Sequence, residues 1–285
     1  MTRRRVTRRR TGAGLIELIV ALVVLGIVSS AAIRAMITQT RFADVQHKRR
    51  SARAVSRSPI NLVASELRMV ENGSGVAAAS AASGASSVTV RVPLAMGVVC
   101  GASGAGTALS LLPTDSVVLA SAAISGYAYL PVSYIYSYTE TAVTQTAGGA
   151  AACAAASVTT VTGGRVVVVT PAFPAQAVAG TVAFLYQRVR YSFAPSATFS
   201  GRIGLWRTLE ATNVTEELAA PFDSTSRFRF YRLHNDTSDV AVPPLGEING
   251  VEFVLTGASE RARQGRTTPE SASLRTAIFF SNRRN

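Results

Sequence analysis

The apolar positions of the chain fall into three successive patterns. Residues 15–33 read LIELIVALVVLGIVSSAAI, an apolar run with no proline and one charge, Glu17. As a helix, residues 13–33 span about 31 Å, the thickness of a bilayer core. Over 34–71 the apolar residues thin out. Ile37, Phe42, Val45, Val55, Leu62, Val63 and Leu67 recur among charged positions, which predicts an amphipathic stalk helix with a narrow apolar stripe. Ser58-Pro59 interrupts it. Proline removes an internal hydrogen bond unless a helix restarts with Ser58 as cap and Pro59 in its first position, so a kink or break is expected near 58–59. Residues 72–87 are almost all small and read as a flexible or loosely ordered linker.

From residue 88 the period changes to two. Strands are predicted at 88–92, 108–112, 117–120, 127–138, 165–170, 181–193, 203–209, 227–233, 250–256 and 274–280. The Gly/Ala-rich stretch 147–157 reads as a loop. Short strands separated by turn signals imply an antiparallel sheet. The expected class is therefore α+β: a long N-terminal transmembrane and stalk helix, then an antiparallel β-sheet domain over 88–285, with a subsidiary hairpin layer around the two cysteines.

Charge sharpens this division. The net charge is +13, but residues 1–12 hold six arginines and no acid, and residues 13–60 hold seven basic residues against Glu17 and Asp44. The remaining 225 residues carry 16 arginines and 14 acids. The basicity belongs to the two flanks of the apolar helix, and the β-rich bulk is nearly neutral. That argues against nucleic acid as a partner, because such proteins spread basic residues over the folded domain. Arg227, Arg229 and Arg232 could form a local basic patch there. The arginine-rich N-terminal flank places that side in the cytoplasm and the C-terminal bulk outside.

Glu17 needs a reason, since an acid inside a membrane-length segment is costly. A plain signal anchor supplies none. A secretory signal cut near Ser29-Ser30-Ala31 has no use for it either, and a twin-arginine signal lacks the residues expected after the arginine pair. A basic leader ending in Gly12, followed by Ala13-Gly14-Leu15-Ile16-Glu17-Leu18, resembles the N-terminal motif of prepilin-type proteins, the type IV pilins and the pseudopilins of type II secretion. Ala13 stands where Phe is usual in that family, and Gly14 where Thr or Ser is usual.

The resemblance implies a pilin-like fold, a leader over 1–12, cleavage of the Gly12–Ala13 bond by prepilin peptidase and N-methylation of Ala13. Glu17, one helical turn from the new amine, would pair with the Ala13 ammonium of a neighbouring subunit during assembly. Leu62-Val63-Ala64-Ser65-Glu66-Leu67-Arg68-Met69 resembles a helix end shared by W-type minor pilins and J-type pseudopilins, with Glu66 where Asp is commoner. Val189-Arg190-Tyr191-Ser192 followed by Gly204-Leu205-Trp206-Arg207-Thr208 resembles a strand pair of W-type minor pilins. The end of the chain, 274–283, resembles their last strand.

Other chemistry is sparse. Cys100 and Cys153 are the only cysteines, and in an exported chain two cysteines pair more often than not. No spacing suits zinc, no nucleophile elbow or phosphate loop occurs, and no cofactor or metal is expected. His47 and His234 lie far apart in sequence. The oxygen-rich stretch 234–239 lacks the spacing of a calcium loop and reads as a solvated turn. Tyr134, Tyr136 and Tyr138 alternate on one strand face, and with Tyr127 and Tyr129 they read as sheet packing, with a subunit contact as the alternative.

The chain therefore reads as a non-enzymatic minor type IV pilin of W type. It would sit in the inner membrane with a periplasmic head and reach the pilus tip or cell surface after assembly. Its partners would be major and minor pilin subunits, prepilin peptidase and the assembly platform. The alternatives are a J-type pseudopilin and a membrane-anchored adhesin with no filament role.

Overall fold

The computed structural model describes residues 14–71, 74–77, 85–119, 122–131, 136–233, 235–262 and 266–280. The chain divides into two units, Met1–Lys48 and Arg49–Asn285. The first contains most of a helix, α1 (Leu15–Arg57). From Leu15 to Asp44 every residue of α1 is exposed. Its polar side chains fold back on the helix: the Ser30 and Thr38 hydroxyls donate to the carbonyls of Ile27 and Arg34 at 2.8 and 2.9 Å. This satisfies each hydroxyl without solvent.

The second unit opens with the end of α1 and a second helix, α2 (Ile60–Met69). The Ser58 amide still donates to Ala54 at 3.0 Å, and Pro59 accepts from the Val63 amide at 3.1 Å. Pro59 itself is the N-cap of α2, at φ −79° and ψ −15°, and no side chain caps the helix. The restart is thus one residue later than a Ser58 cap would give. A proline fits there because its missing N–H falls where a helix has no acceptor for it.

The rest is one large antiparallel sheet. Its first half holds β1 (Ser87–Ser103), β2 (Gly106–Leu111), β3 (Gly126–Tyr129), β4 (Ser137–Thr139), β5 (Thr144–Ala147) and β6 (Arg165–Thr170). Its second half holds β7 (Val182–Pro195), β8 (Ile203–Leu209), β9 (Val214–Phe222), β10 (Arg227–Arg232), β11 (Ser238–Asp239), β12 (Ile248–Ala262) and β13 (Pro269–Phe279). The order is β11-β10-β12-β9-β8-β7-β1-β2-β6-β5; β13 flanks β12, and β3 joins β7 to β4. This is the α+β, pilin-like architecture, a long N-terminal apolar helix followed by antiparallel sheet.

The pairing of β1 with β7 shows how the core is kept on one face. Val88, Val90 and Val92 of β1 are buried, then Ala95 and Val99. The parity switches because the register slips between Pro93 and Ala95. One extra residue inverts the side-chain alternation, and the bulge carries the buried set of β1 from even to odd positions. Val189 and Tyr191 of β7 pack with the first set and Ala183 and Leu185 with the second. The first cluster also takes Val63 and Leu67 of α2, Phe228, Phe253, Leu255 and Phe280. The second takes Leu109, Leu119, Tyr127, Val167 and Phe173.

Several expectations are corrected. Residues 117–120 do not begin a strand: Val117–Leu119 belongs to α3 (Pro113–Leu119). Pro113 suits a first helical turn, the Ser116 hydroxyl bonds the Pro113 carbonyl at 2.7 Å, and Leu119 turns inward. The 147–157 loop contains α4 (Ala150–Ala155), entered through Gly149 at φ 89°. Predicted strand 127–138 is two short strands, β3 and β4, with 132–135 outside the described residues. β9 was not anticipated, because Glu216, Glu217 and Pro221 break its apolar pattern. Residues 74–77 are packed rather than loose: Val76 is 1 % exposed, Ala77 is fully buried, and the Arg91 amide donates to Gly75 at 2.7 Å.

Candidate functional site

The first site residue is Glu17. Gly12 and Ala13 lie outside the described residues, and Glu17 occupies the first turn of α1, its amide donating to the Gly14 carbonyl at 2.9 Å. A carboxylate there faces the positive end of the helix dipole. Around it Leu15 and Ile16 are each 77 % exposed, and no part of the apolar window is buried within the chain. Apolar surface left in water is unfavourable by about 25 cal/mol per Å². This surface belongs against lipid or other apolar helices, and by length and composition the helix can cross a bilayer.

The second site lies where α2 meets the sheet. Glu66 projects from α2 to β7 and β8. Its Oε1 accepts from Arg207 Nη2 at 2.6 Å and its Oε2 from Arg207 Nε at 3.2 Å, a two-pronged pair, and the Tyr191 hydroxyl also donates to Oε2. Arg207 reaches on to Glu216 at 3.0 Å. The Glu66 and Arg207 side chains are 12 % and 16 % exposed. Burial works against the Arg207 charge, but the hydrogen bonds and charge of Glu66 outweigh it and raise its pKa. Burial, then the Glu66 charge, pushes the Tyr191 hydroxyl well above its ordinary value. All three residues come from the segments 62–69, 189–192 and 204–208. The sequence carries them 125 and 141 residues apart.

A neighbouring network lies just beyond the C-terminal end of α2. The Tyr138 hydroxyl donates to Glu71 at 2.8 Å, and Arg91 lies 4.7 Å above the Tyr138 ring. Arg91 and Arg188 stand directly opposite on β1 and β7, a repulsive arrangement by itself. Glu140 relieves it by accepting from Arg91 Nε at 3.0 Å and pairing with Arg188 at 3.6 Å, while Glu210 pairs with Arg188 at 2.9 Å. Burial and then the Glu71 charge raise the Tyr138 pKa. Burial pushes Tyr186 up to about 12, against the opposing charge of Arg91.

The remaining predicted residues separate. Tyr127 and Tyr129 enter the core, and Tyr127 stacks on Phe173 at 4.0 Å. Tyr136 and Tyr138 lie with Phe184 at 4.8 and 5.8 Å on the other face, and Tyr134 lies outside the described residues. Cys100 of β1 and Cys153 of α4 form a disulfide with their Cα atoms 4.4 Å apart. Of the three clustered arginines, Arg229 pairs with Glu252 at 3.3 Å and Arg232 with Glu247 at 2.5 Å. His47 is exposed on α1, and His234 lies outside the described residues. In the oxygen-rich turn, Asn235 Oδ1 accepts from the Thr237 amide at 2.9 Å. Among the described residues no group of three His, Cys, Asp or Glu side chains is placed to hold a metal.

Residues 7–33 match the prokaryotic N-terminal methylation motif. The matched segment contains Gly12, Ala13 and Glu17 and the whole apolar run 15–33. It supports the type IV pilin and pseudopilin class, whose members are structural rather than catalytic, and it implies processing by prepilin peptidase and membrane association with pilin assemblies. No curated protein and no solved structure matched the chain.

Proposed function

We propose that this chain is a minor type IV pilin of W type. Prepilin peptidase cuts it after Gly12, leaving Ala13 as the mature, methylated N-terminus. α1 then holds it in the inner membrane with the head in the periplasm, until an assembly platform moves it into a filament beside other pilin subunits. The observation that carries this reading is the methylation motif over residues 7–33, with Glu17 one turn beyond the cleavage point. Cleavage creates an α-amino group, and in a medium of low dielectric that charge needs the carboxylate of Glu17 or of a neighbour's Glu17. The Glu66–Tyr191–Arg207 cluster supports the finer assignment, because it unites the helix end and the strand pair that resemble the W type.

Mass spectrometry of the mature protein tests the reading. The expected N-terminus is Ala13, carrying one methyl group. A chain that retains Met1–Gly12, or one that starts near Ala32, refutes it. A second expected outcome concerns assembly: Glu17→Ala inserts into the membrane as well as wild type but enters filaments poorly. Equal incorporation of the two would remove the pairing role of Glu17.

The helix end around Glu66 is also common in J-type pseudopilins, and that assignment shares the same leader, anchor and chemistry. Deletion strains separate the two. Loss of surface pili with secretion intact supports the minor pilin, and the reverse supports the pseudopilin.

A further inference from the structure

We propose that a cleft between the end of α1 and the start of β13 docks a carboxylate-rich segment of another protein. The cleft has a volume of about 400 Å³. Arg49 and Arg53 enter it from α1 and Arg266 from the turn before β13, with Thr268, Glu270 and Ser271 on the strand side. Arg49 and Arg53 are one helical turn apart and so share a face, which is mildly repulsive without an anion between them.

Among the described residues, the charge in this cleft is not balanced by the chain itself. All sixteen acidic side chains fall among the described residues. Glu270 is the one carboxylate lining the cleft, against three arginines. It accepts from Arg49 Nε at 3.4 Å, and Arg49 remains 52 % exposed. A pair so long and so open contributes little and is readily exchanged. Arg53 and Arg266 are exposed and have no ion pair among the described residues.

The lining selects the kind of anion. Guanidinium groups take carboxylates in two-pronged fashion, and the Thr268 and Ser271 hydroxyls add neutral donors. A single-stranded nucleic acid calls for aromatic platforms, and among the described residues no aromatic side chain lines the cleft. A lipid surface calls for apolar side chains to insert, and among the described residues of the lining only Pro269 and Ala272 are apolar. Glu270 already shows that a protein carboxylate fits this position. A partner's acidic side chains would displace it and also reach Arg53 and Arg266.

The site stands apart from the processing at Gly12, so its failure would leave the pilin reading untouched. The test uses the full-length protein in detergent micelles and fluorescently labelled hexaglutamate, followed by anisotropy at low ionic strength. Hexaglutamate is expected to bind wild type, and added salt to weaken it. Arg53→Gln with Arg266→Gln is expected to lower the affinity about tenfold or more. Glu270→Gln is expected to raise it, because the competing carboxylate is gone. Arg68→Gln with Arg165→Gln, two exposed arginines outside the cleft, is expected to change it by less than about twofold. Three outcomes overturn the proposal. One is no binding to wild type. Another is an equal loss in the Arg68/Arg165 variant. The third is tighter binding of oligodeoxythymidylate, or of phosphatidylglycerol vesicles, with the same dependence on Arg53 and Arg266.

Discussion

Glu66 is the residue whose role depends most on distant partners. It is held by Arg207 and Tyr191 and is mostly shielded from water. Removing one member of such a pair strands the other charge. Glu66→Ala should therefore destabilise the head by about 3 kcal/mol, read by urea unfolding through the single tryptophan, Trp206, on the neighbouring position of β8. Replacing Glu66 and Arg207 together by Leu, with Tyr191→Phe so that its buried hydroxyl does not lose its acceptor, should recover most of that loss, since neither an unpaired charge nor an orphaned hydroxyl remains. A triple variant as unstable as Glu66→Ala would show that the pair is not the cause.

Gly257 matters for another reason. A Cβ there would lie 2.1 Å from the Ala52 carbonyl oxygen, and the Gly257 amide donates to Ser56 at 3.0 Å. Helix backbone and strand backbone touch at this point, so Gly257→Val should loosen the last turns of α1 from β12 and cost about 2 kcal/mol or more. Faster amide exchange over 49–57 would register it, and unchanged exchange would contradict it. The sequence shows Gly257 only as a glycine near a predicted strand end. The approach of residue 52 to residue 257 has no local trace.

Among the elements, those with a strong period were legible. The apolar helix, β6, β8 and β10 follow their patterns closely. Those governed by partners were not. β1 runs for 17 residues, past the predicted end at Val92, because a bulge between Pro93 and Ala95 resets its alternation. β9 is a strand because β8 and β12 pair with it on either side, despite its acidic residues. α4 is short and alanine-rich, and it is tied to β1 by the disulfide across a separation of 53 residues. Closing a loop of that length stabilises by about 4 kcal/mol in the chain-entropy model. Cys100→Ser with Cys153→Ser should lower the unfolding midpoint accordingly and expose 144–170 first to protease. A midpoint unchanged from wild type would mean the tether contributes nothing.

At the scale of the whole molecule, the head has a characteristic response to alkali. Tyr138, Tyr186 and Tyr191 all have folded-state pKa values raised above the usual value of 10, chiefly by burial. A tyrosine is neutral when protonated, so above pH 10 the unfolded chain releases protons that the folded head retains. Stability from these groups is complete below pH 10 and falls as pH rises beyond it, by up to about 1.4 kcal/mol per pH unit for each tyrosine. For Tyr186 the fall ends near pH 12, and for the other two it continues higher. Unfolding measured from pH 8 to 12 should show a plateau and then a steepening loss. Tyr186→Phe should flatten part of that loss. A uniform slope from pH 8 would contradict this account.

By itself the sequence determined what depends on neighbours along the chain. Hydrophobic period and length mark a membrane-length helix and a β-rich head, and residues 7–33 carry the N-terminal methylation motif. These signals are local because helix and strand periodicities repeat within a few residues. Only the tertiary structure decided which distant residues meet. The convergence of Glu66, Tyr191 and Arg207, the one-residue slip in β1, the contact of Gly257 with Ala52 and the unbalanced arginine cleft all depend on strand register and helix docking. Those are set by packing summed over the whole head, and no window of sequence contains them.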